Sequence, residues 1–273
     1  MQRNPEYLRT RSLFVGHQAG AFTLPDDLVE LNTRAARLEA ESRVTRPSRK
    51  PAARGEFVNA LRDAIASGTD MPDPAVLHEA EAHDRALAEM VRILVEETEN
   101  AQTRVVAGVQ RFAETILVDH LRPALEDTLE AATSAAEKLG RTLPTAEGIL
   151  SAPDATRKAF QALGALSSRY ISLRNAQGVV VELSAGARYD AANLFREFRN
   201  LPDIFPQYAN PRAERPWPTT DRGRLLWIVT SAIEAWMPTP EEQDEAFADR
   251  FPNAPVLRGR AAGWTDRREV AGV

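Results

Sequence analysis

Between Asp73 and Gly140 the chain reads Asp73-PAVLHEAEAHDRALAEMVRILVEETENAQTRVVAGVQRFAETILVDHLRPALEDTLEAATSAAEKL-Gly140, and the fold turns on this stretch. Asp73-Pro74 is a helix start: the aspartate accepts from orphan backbone N–H groups, and proline sits where its missing donor costs nothing. No glycine follows until Gly108, and Gly140 stands where a left-handed C-terminal cap belongs. If continuous, the 67 residues from Pro74 to Gly140 span ~100 Å at about 1.5 Å per residue. Pro123 interrupts them, because it lacks an N–H and crowds the carbonyl of Asp119. The stretch therefore predicts one long central helix over about 74–139, kinked near Pro123.

The apolar period says how that helix packs. A strict heptad fits Val76, Ala80, His83, Leu87, Met90 and Leu94, then lands on Glu97 and Arg104 and fails. An eleven-residue repeat does better. Its columns are Val76, Leu87, Thr98, Val109; Ala80, Val91, Gln102, Ala113; and His83, Leu94, Val105, Ile116. Met90, Ala101 and Phe112 widen the stripe at the same spacing. Eleven residues over three turns is ~3.67 per turn, so the helix packs as a nearly straight rod rather than a left-handed coiled coil. The remaining face is acidic: Asp73 to Leu139 holds 14 acidic and 6 basic residues, a solvated face.

Upstream, Met1 to Phe22 shows no clear period. A first helix begins near Pro25-Asp26-Asp27, with Leu28, Leu31, Ala35 and Leu38 as its stripe. A basic linker with two prolines runs from Ser42 to Gly55, and a short helix then buries Phe57, Val58, Leu61 and Ile65, ending at Gly68. Downstream, Ser151-Ala152-Pro153-Asp154 has capping-box form and opens a helix to about Gln177 with Phe160, Leu163, Leu166, Tyr170 and Leu173 inside. Val179-Val180-Val181 is ambiguous between strand and helix. Ala187 to Asn200 reads as a further helix. Leu201 to Pro218, with five prolines, reads as irregular. Leu225 to Trp236 is apolar nearly all round, the pattern of a helix buried on most sides, and Pro238 stops it. Thr239-Pro240-Glu241-Glu242 is a full capping box for a last helix with Ala246, Phe247 and Phe251 on its inner face.

The expected fold class is all-α, an elongated helical bundle on the long central helix with a smaller helical C-terminal lobe. Its segments are an N-terminal arm (1–22), short helices with a basic linker (23–72), the long-helix bundle (73–200), a proline-rich crossing segment (201–219), the C-terminal lobe (220–257) and a tail (258–273).

Composition bounds the chemistry. The chain has no cysteine, which excludes disulfides, thiolate metal sites and cysteine nucleophiles. Its net charge of -5 excludes whole-chain basicity as a nucleic-acid recruiter. Only 3 of its 34 basic residues are lysine, the bias of a GC-rich coding genome. No run approaches the ~20 apolar residues of a membrane span. The apolar part of the N-terminus, Leu13 to Val15, is too short for a secretion signal, so the expectation is a cytoplasmic protein with no membrane partner.

Motifs for catalysis are sparse. His78 and His83 are five residues apart, ~140° round a helix, and cannot share a metal. Glu79 and His83 could, but two ligands are too few for a site. Asp119 and His120 point ~100° apart and form no dyad. There is no nucleophile elbow, P-loop or dinucleotide fingerprint, and no cofactor or metal site is expected. Arg34 to Arg54 carries seven basic and two acidic residues. Arg43, Arg46, Arg49, Lys50 and Arg54 are its candidate contacts to phosphate or to the acidic rod of a second copy, against the plainer reading of a solvated linker. Phe205, Tyr208 and Trp217 are a candidate interaction surface or else core of the C-terminal lobe.

The stretch Ala162-Leu163-Gly164-Ala165-Leu166-Ser167-Ser168-Arg169-Tyr170-Ile171-Ser172-Leu173-Arg174-Asn175-Ala176-Gln177 resembles helices of small structural and assembly proteins of phages and prophages of GC-rich, actinobacterial-type bacteria. The resemblance covers some sixteen residues. It implies a virion or assembly role, with a virion location if the chain is phage-derived, and transfers no site residue. The leading expectation is a non-enzymatic helical structural or assembly protein, partnered by further copies of itself or by another structural protein. The alternatives are a sequence-independent nucleic-acid-associated protein using the Arg-rich segment, and a metal-dependent enzyme around Glu79 and His83.

Overall fold

A computed structural model of the protein describes residues 4–44, 53–186, 195–207 and 214–252. The described residues are all-α, with no β-strand and one isolated bridge between Phe198 and Ala235. The chain divides into two compact units, the first built on residues 30–105 and the second on residues 5–29 and from 106 onward.

Residues 5–18, without a clear period in sequence, form α1 (Pro5–Gln18), which buries Tyr7, Leu13 and Phe14. Gly16 is required there, since a Cβ would stand 2.6 Å from the Phe22 ring. Helix α2 (Asp26–Val44) starts at the expected acidic pair, with the Leu28 and Val29 amides donating to Pro25 O. Helix α3 (Ala53–Ser67) ends at Gly68, whose φ of +67° is the left-handed region that glycine tolerates.

The long stretch is helical from Pro74 to Lys138 but changes type. Helix α4 (Pro74–Arg111) is followed by Phe112, a short α5 (Ala113–Thr115), a π-helical turn (Ile116–Leu121) and α6 (Arg122–Lys138). The distortion therefore lies at 112–121 rather than at Pro123, which sits in the first turn of α6. The wide turn accommodates the proline: Arg122 N–H donates to Leu117 O, five residues back. The ladder is already shifted by one residue there, and the missing Pro123 donor falls in the first turn of α6. Gly140, φ +67°, caps the end, and Arg141 N–H reaches back to Ala136 O.

A short α7 (Ala146–Ser151) then precedes α8 (Asp154–Ala185). The expected Ser151 cap is replaced: Ser151 belongs to α7, and Pro153 precedes α8 without a side-chain cap. Helix α8 also outruns the expected end at Gln177. Val180 and Val181 are buried helical residues, because burial against neighbouring helices outweighs their strand propensity. Ala159, Leu163, Ser167, Tyr170, Leu173, Ala176 and Val180 make its buried stripe. Helices α1, α6 and α10 (Asp221–Thr230) pack on it.

The C-terminal region is less helical than expected. Residues 187–194 of the helix expected over Ala187 to Asn200 lie outside the described residues, and 195–200 are a single 3₁₀ turn and loop. Helix α9 (Leu201–Ile204) follows. Helix α10 stops at Thr230 instead of running to Trp236. The reason is a better use of the backbone. Asn200 accepts from Glu234 N–H and donates to Ala232 O, both at 2.8 Å, and Arg199 N–H donates to Glu234 O. Helix α11 (Pro240–Arg250) has the expected capping box at Thr239 and Glu242.

Candidate functional site

Of the residues singled out in the basic segment, Arg43 is bound to Glu39 on its own helix and Arg54 is exposed in the first turn of α3. Arg46, Arg49 and Lys50 lie outside the described residues. His78, Glu79 and His83 are all exposed on α4, and among the described residues no group of three or more His, Asp or Glu could hold a metal ion. Asp119 is exposed, while His120 Nδ1 lies 2.7 Å from Thr23 Oγ1. Tyr208 lies outside the described residues. Phe205 is buried, and its ring meets Trp217 edge-on at 6.1 Å. Trp217 in turn stands 5.6 Å from both Phe198 and Trp227. No described helix is long and apolar enough to cross a membrane.

Two surfaces stand out. The first belongs to the first unit. Its fully buried apolar residues among those described are Ala35, Ala64, Ala101 and Val105. Val44, Ile65, Met71, Val76, Met90 and Ile93 are exposed, Val76 at 61% and Ile65 at 62%. The α4 stripe divides accordingly: Leu87, Val91 and Leu94 are half-covered, whereas Thr98, Ala101, Gln102 and Val105 are buried. Ile65, expected inside α3, faces solvent because no described neighbour covers that side.

The second lies wholly in the second unit, where helix α8 meets the loops 195–200 and 231–239. Tyr170 and Arg174, one turn apart on α8, organise it. Tyr170 O–H donates to Glu197 Oε1 at 2.7 Å. Arg174 donates through Nε to the Tyr170 hydroxyl, through Nη1 to Gln177 Oε1 and Trp236 O, and through Nη2 to Glu197 O. Gln177 Nε2 donates to Arg196 O at 2.9 Å, and Trp236 Nε1 to Phe195 O. Each loop carbonyl here gains a donor, so these bonds hold two non-helical segments against a helix. Arg224 completes the ring with an ion pair to Glu197 Oε2 while its guanidinium lies 5.5 Å from the Trp217 centroid.

The electrostatics follow from burial. Loss of water pushes the Tyr170 phenol well above the ordinary tyrosine range, and Glu197 adds to the effect against the opposing Arg174 charge, so the hydroxyl stays protonated. Burial lowers Arg196 below the usual arginine value, aided by Arg174 and opposed by Glu197 and Glu182. A cavity of about 250 Å³ opens among Arg174, Arg196, Glu197, Arg215, Trp217 and Arg224. Such a site can take an anion, orient it by guanidinium donors and exclude part of its water.

Sequence reasoning did not find this group. Its arginines are four among 31, spread over fifty positions, and none sits in a local run. The usable signals were the Tyr170/Arg174 one-turn spacing and the aromatic Trp217 beside Arg215. No protein-family model, curated protein or solved structure matches the chain.

Proposed function

We propose that the protein is a non-enzymatic helical assembly component that associates with copies of itself through the apolar side of its first unit. The carrying observation is the set of large apolar side chains left in solvent on α3 and α4, where Ile65, Val76, Met90 and Ile93 stand. Charge selects a second copy as the occupant. From Pro74 to Val105 the helix holds seven acidic and three basic residues, while Arg34 to Arg54 holds seven basic and two acidic. Copies set against each other can therefore match acid to base as well as apolar to apolar. Full burial of such a side chain is worth roughly 1.5–3 kcal/mol. Six such exposed side chains from each copy, even partly covered on association, reach the range of the ~4–15 kcal/mol that association costs. The phage-type resemblance of residues 162–177 supports a place in virion assembly, in the cytoplasm of a host cell or in the particle.

Light scattering coupled to chromatography tests this. The expected result is a dimer or larger species that dissociates in the double variant Met90→Glu, Ile93→Glu with helicity unchanged. A compact monomer at every concentration sinks the reading.

A further inference from the structure

Helix α11 is fastened to its neighbours at both ends and leaves open ground between. Glu242, in its first turn, pairs with Arg122 at the start of α6. Arg250, its last residue, pairs with Asp203 of α9. A cavity of about 480 Å³ lies between α6, the 235–237 loop and α11, and one of about 360 Å³ lies between α9 and α11. Arg199, Ala246 and Asp249 line both, so the two meet in one groove along the helix. Its floor is apolar, with Leu129, Ala235, Trp236 and Ala246 half-buried. Its rims are acidic. Glu126, Glu234, Glu245 and Asp249 are exposed and make no side-chain hydrogen bond or ion pair among the described residues.

An apolar floor between acidic rims suits a segment that joins apolar to basic residues. The chain supplies one where α11 ends. Beyond Pro252 the sequence reads Asn253-Ala254-Pro255-Val256-Leu257-Arg258-Gly259-Arg260. Two large apolar residues are followed by two arginines, and no acidic residue comes before Asp266. The reach fits. From Pro252 to Arg258 the chain can extend ~20 Å at about 3.3 Å per residue, while Glu242 to Asp249 takes up only ~10 Å of helix. Tethering selects this occupant over a second copy or a foreign peptide. A segment held at the rim of the groove has an effective concentration of millimolar order, so weak affinity is enough.

We propose that the groove along α11 docks the chain's own segment 256–260, with Val256 and Leu257 on the Trp236 floor and Arg258 and Arg260 against the acidic rims. The contact closes within one chain, uses no residue of the first unit and does not depend on self-association.

Disulfide trapping tests it, since the chain has no cysteine of its own. Glu126→Cys, on the α6 rim, is combined with Gly259→Cys in the full chain, which leaves three rim carboxylates in place. The protein is oxidised at high dilution, and peptide mapping reads the bond. The control pair is Ala131→Cys with Gly259→Cys, at an exposed position ~140° round α6 from residue 126. The expected result is a disulfide within one chain that forms about tenfold faster than in the control, the gain of a docked over a tethered segment. Salt at ~1 M, which cuts the Debye length to about 3 Å, slows it severalfold, as does the double change Arg258→Gln, Arg260→Gln. Should Glu126→Cys lose helicity by circular dichroism, Glu130→Cys, exposed one turn along α6, takes its place. Equal rates for the two pairs overturn the proposal. So does a rate that neither salt nor the arginine changes affect, or a bond found only between chains, which gives the groove to a second copy.

Discussion

The two units are built from the same kind of helix and differ in what they bury. In the second unit, Leu13, Leu117, Leu121, Leu125, Leu163, Leu173, Phe195 and Phe198 are almost completely enclosed. In the first, the enclosed apolar residues among those described are three alanines and one valine. Its large side chains lie at the edge of water. Helix α4 belongs to both: its residues through Val105 count with the first unit and its last turn with the second. Its sequence keeps one apolar stripe throughout, yet coverage rises sharply near Thr98. Amphipathicity thus states a demand for cover without saying whether the chain's own fold meets it. In the second unit the demand is met by α1, α6, α8 and α10 around a common core. In the first it is met in part, and the remainder is the basis for the proposed self-association.

The comparison can be broken by stability measurements. The largest expected effect is in the second unit: Leu173→Ala empties a fully enclosed site and costs about 2–5 kcal/mol by denaturant unfolding. Leu87→Ala, half-covered in the first unit, costs less than half as much, and equal losses would erase the distinction. Next comes a change of opposite sign. Gln102 is fully enclosed with neither amide atom hydrogen-bonded, and burying such a group unpaired costs about 1–3 kcal/mol. Gln102→Met is therefore expected to raise the melting temperature; a fall would mean that the amide has a partner in the assembled protein.

A third test uses pH. The Tyr170 phenol titrates higher in the folded than in the unfolded chain. Above the ordinary tyrosine pKa, about 10, the unfolded chain releases a proton that the folded chain keeps. Stability from this group is therefore intact below that pH and falls above it, by at most about 1.4 kcal/mol per pH unit, and Tyr170→Phe flattens the alkaline limb. The smallest effect on the fold is Ile65→Glu, within about 0.5 kcal/mol by thermal unfolding of the dilute protein. A larger loss would show that Ile65 is covered within a single chain.

Much of the helical plan was legible from local signals. Asp73-Pro74, Thr239 with Glu242, Gly68 and Gly140 mark helix ends through backbone donors and φ preferences, which act over one turn. The π turn at Ile116–Leu121 was not legible. Pro123 announces a disturbance, but where the ladder relaxes depends on which side chains the core accepts. Trp236 was misplaced in a helix because its apolar neighbours fit one. Asn200, thirty-six positions away, captures the backbone at Ala232 and Glu234. The arginine cavity was invisible for the same reason: Arg174, Arg196, Arg215 and Arg224 share no period.

What the sequence determined alone is the all-helical class, the ends of several helices and the striped character of the central one, since these rest on contacts within about one turn. Only the tertiary structure decided which stripes are covered, where the long helix changes type and which four of many arginines share a cavity. Each of those depends on residues far apart in the chain, whose meeting is set by the balance of burial and hydrogen bonding over the whole fold.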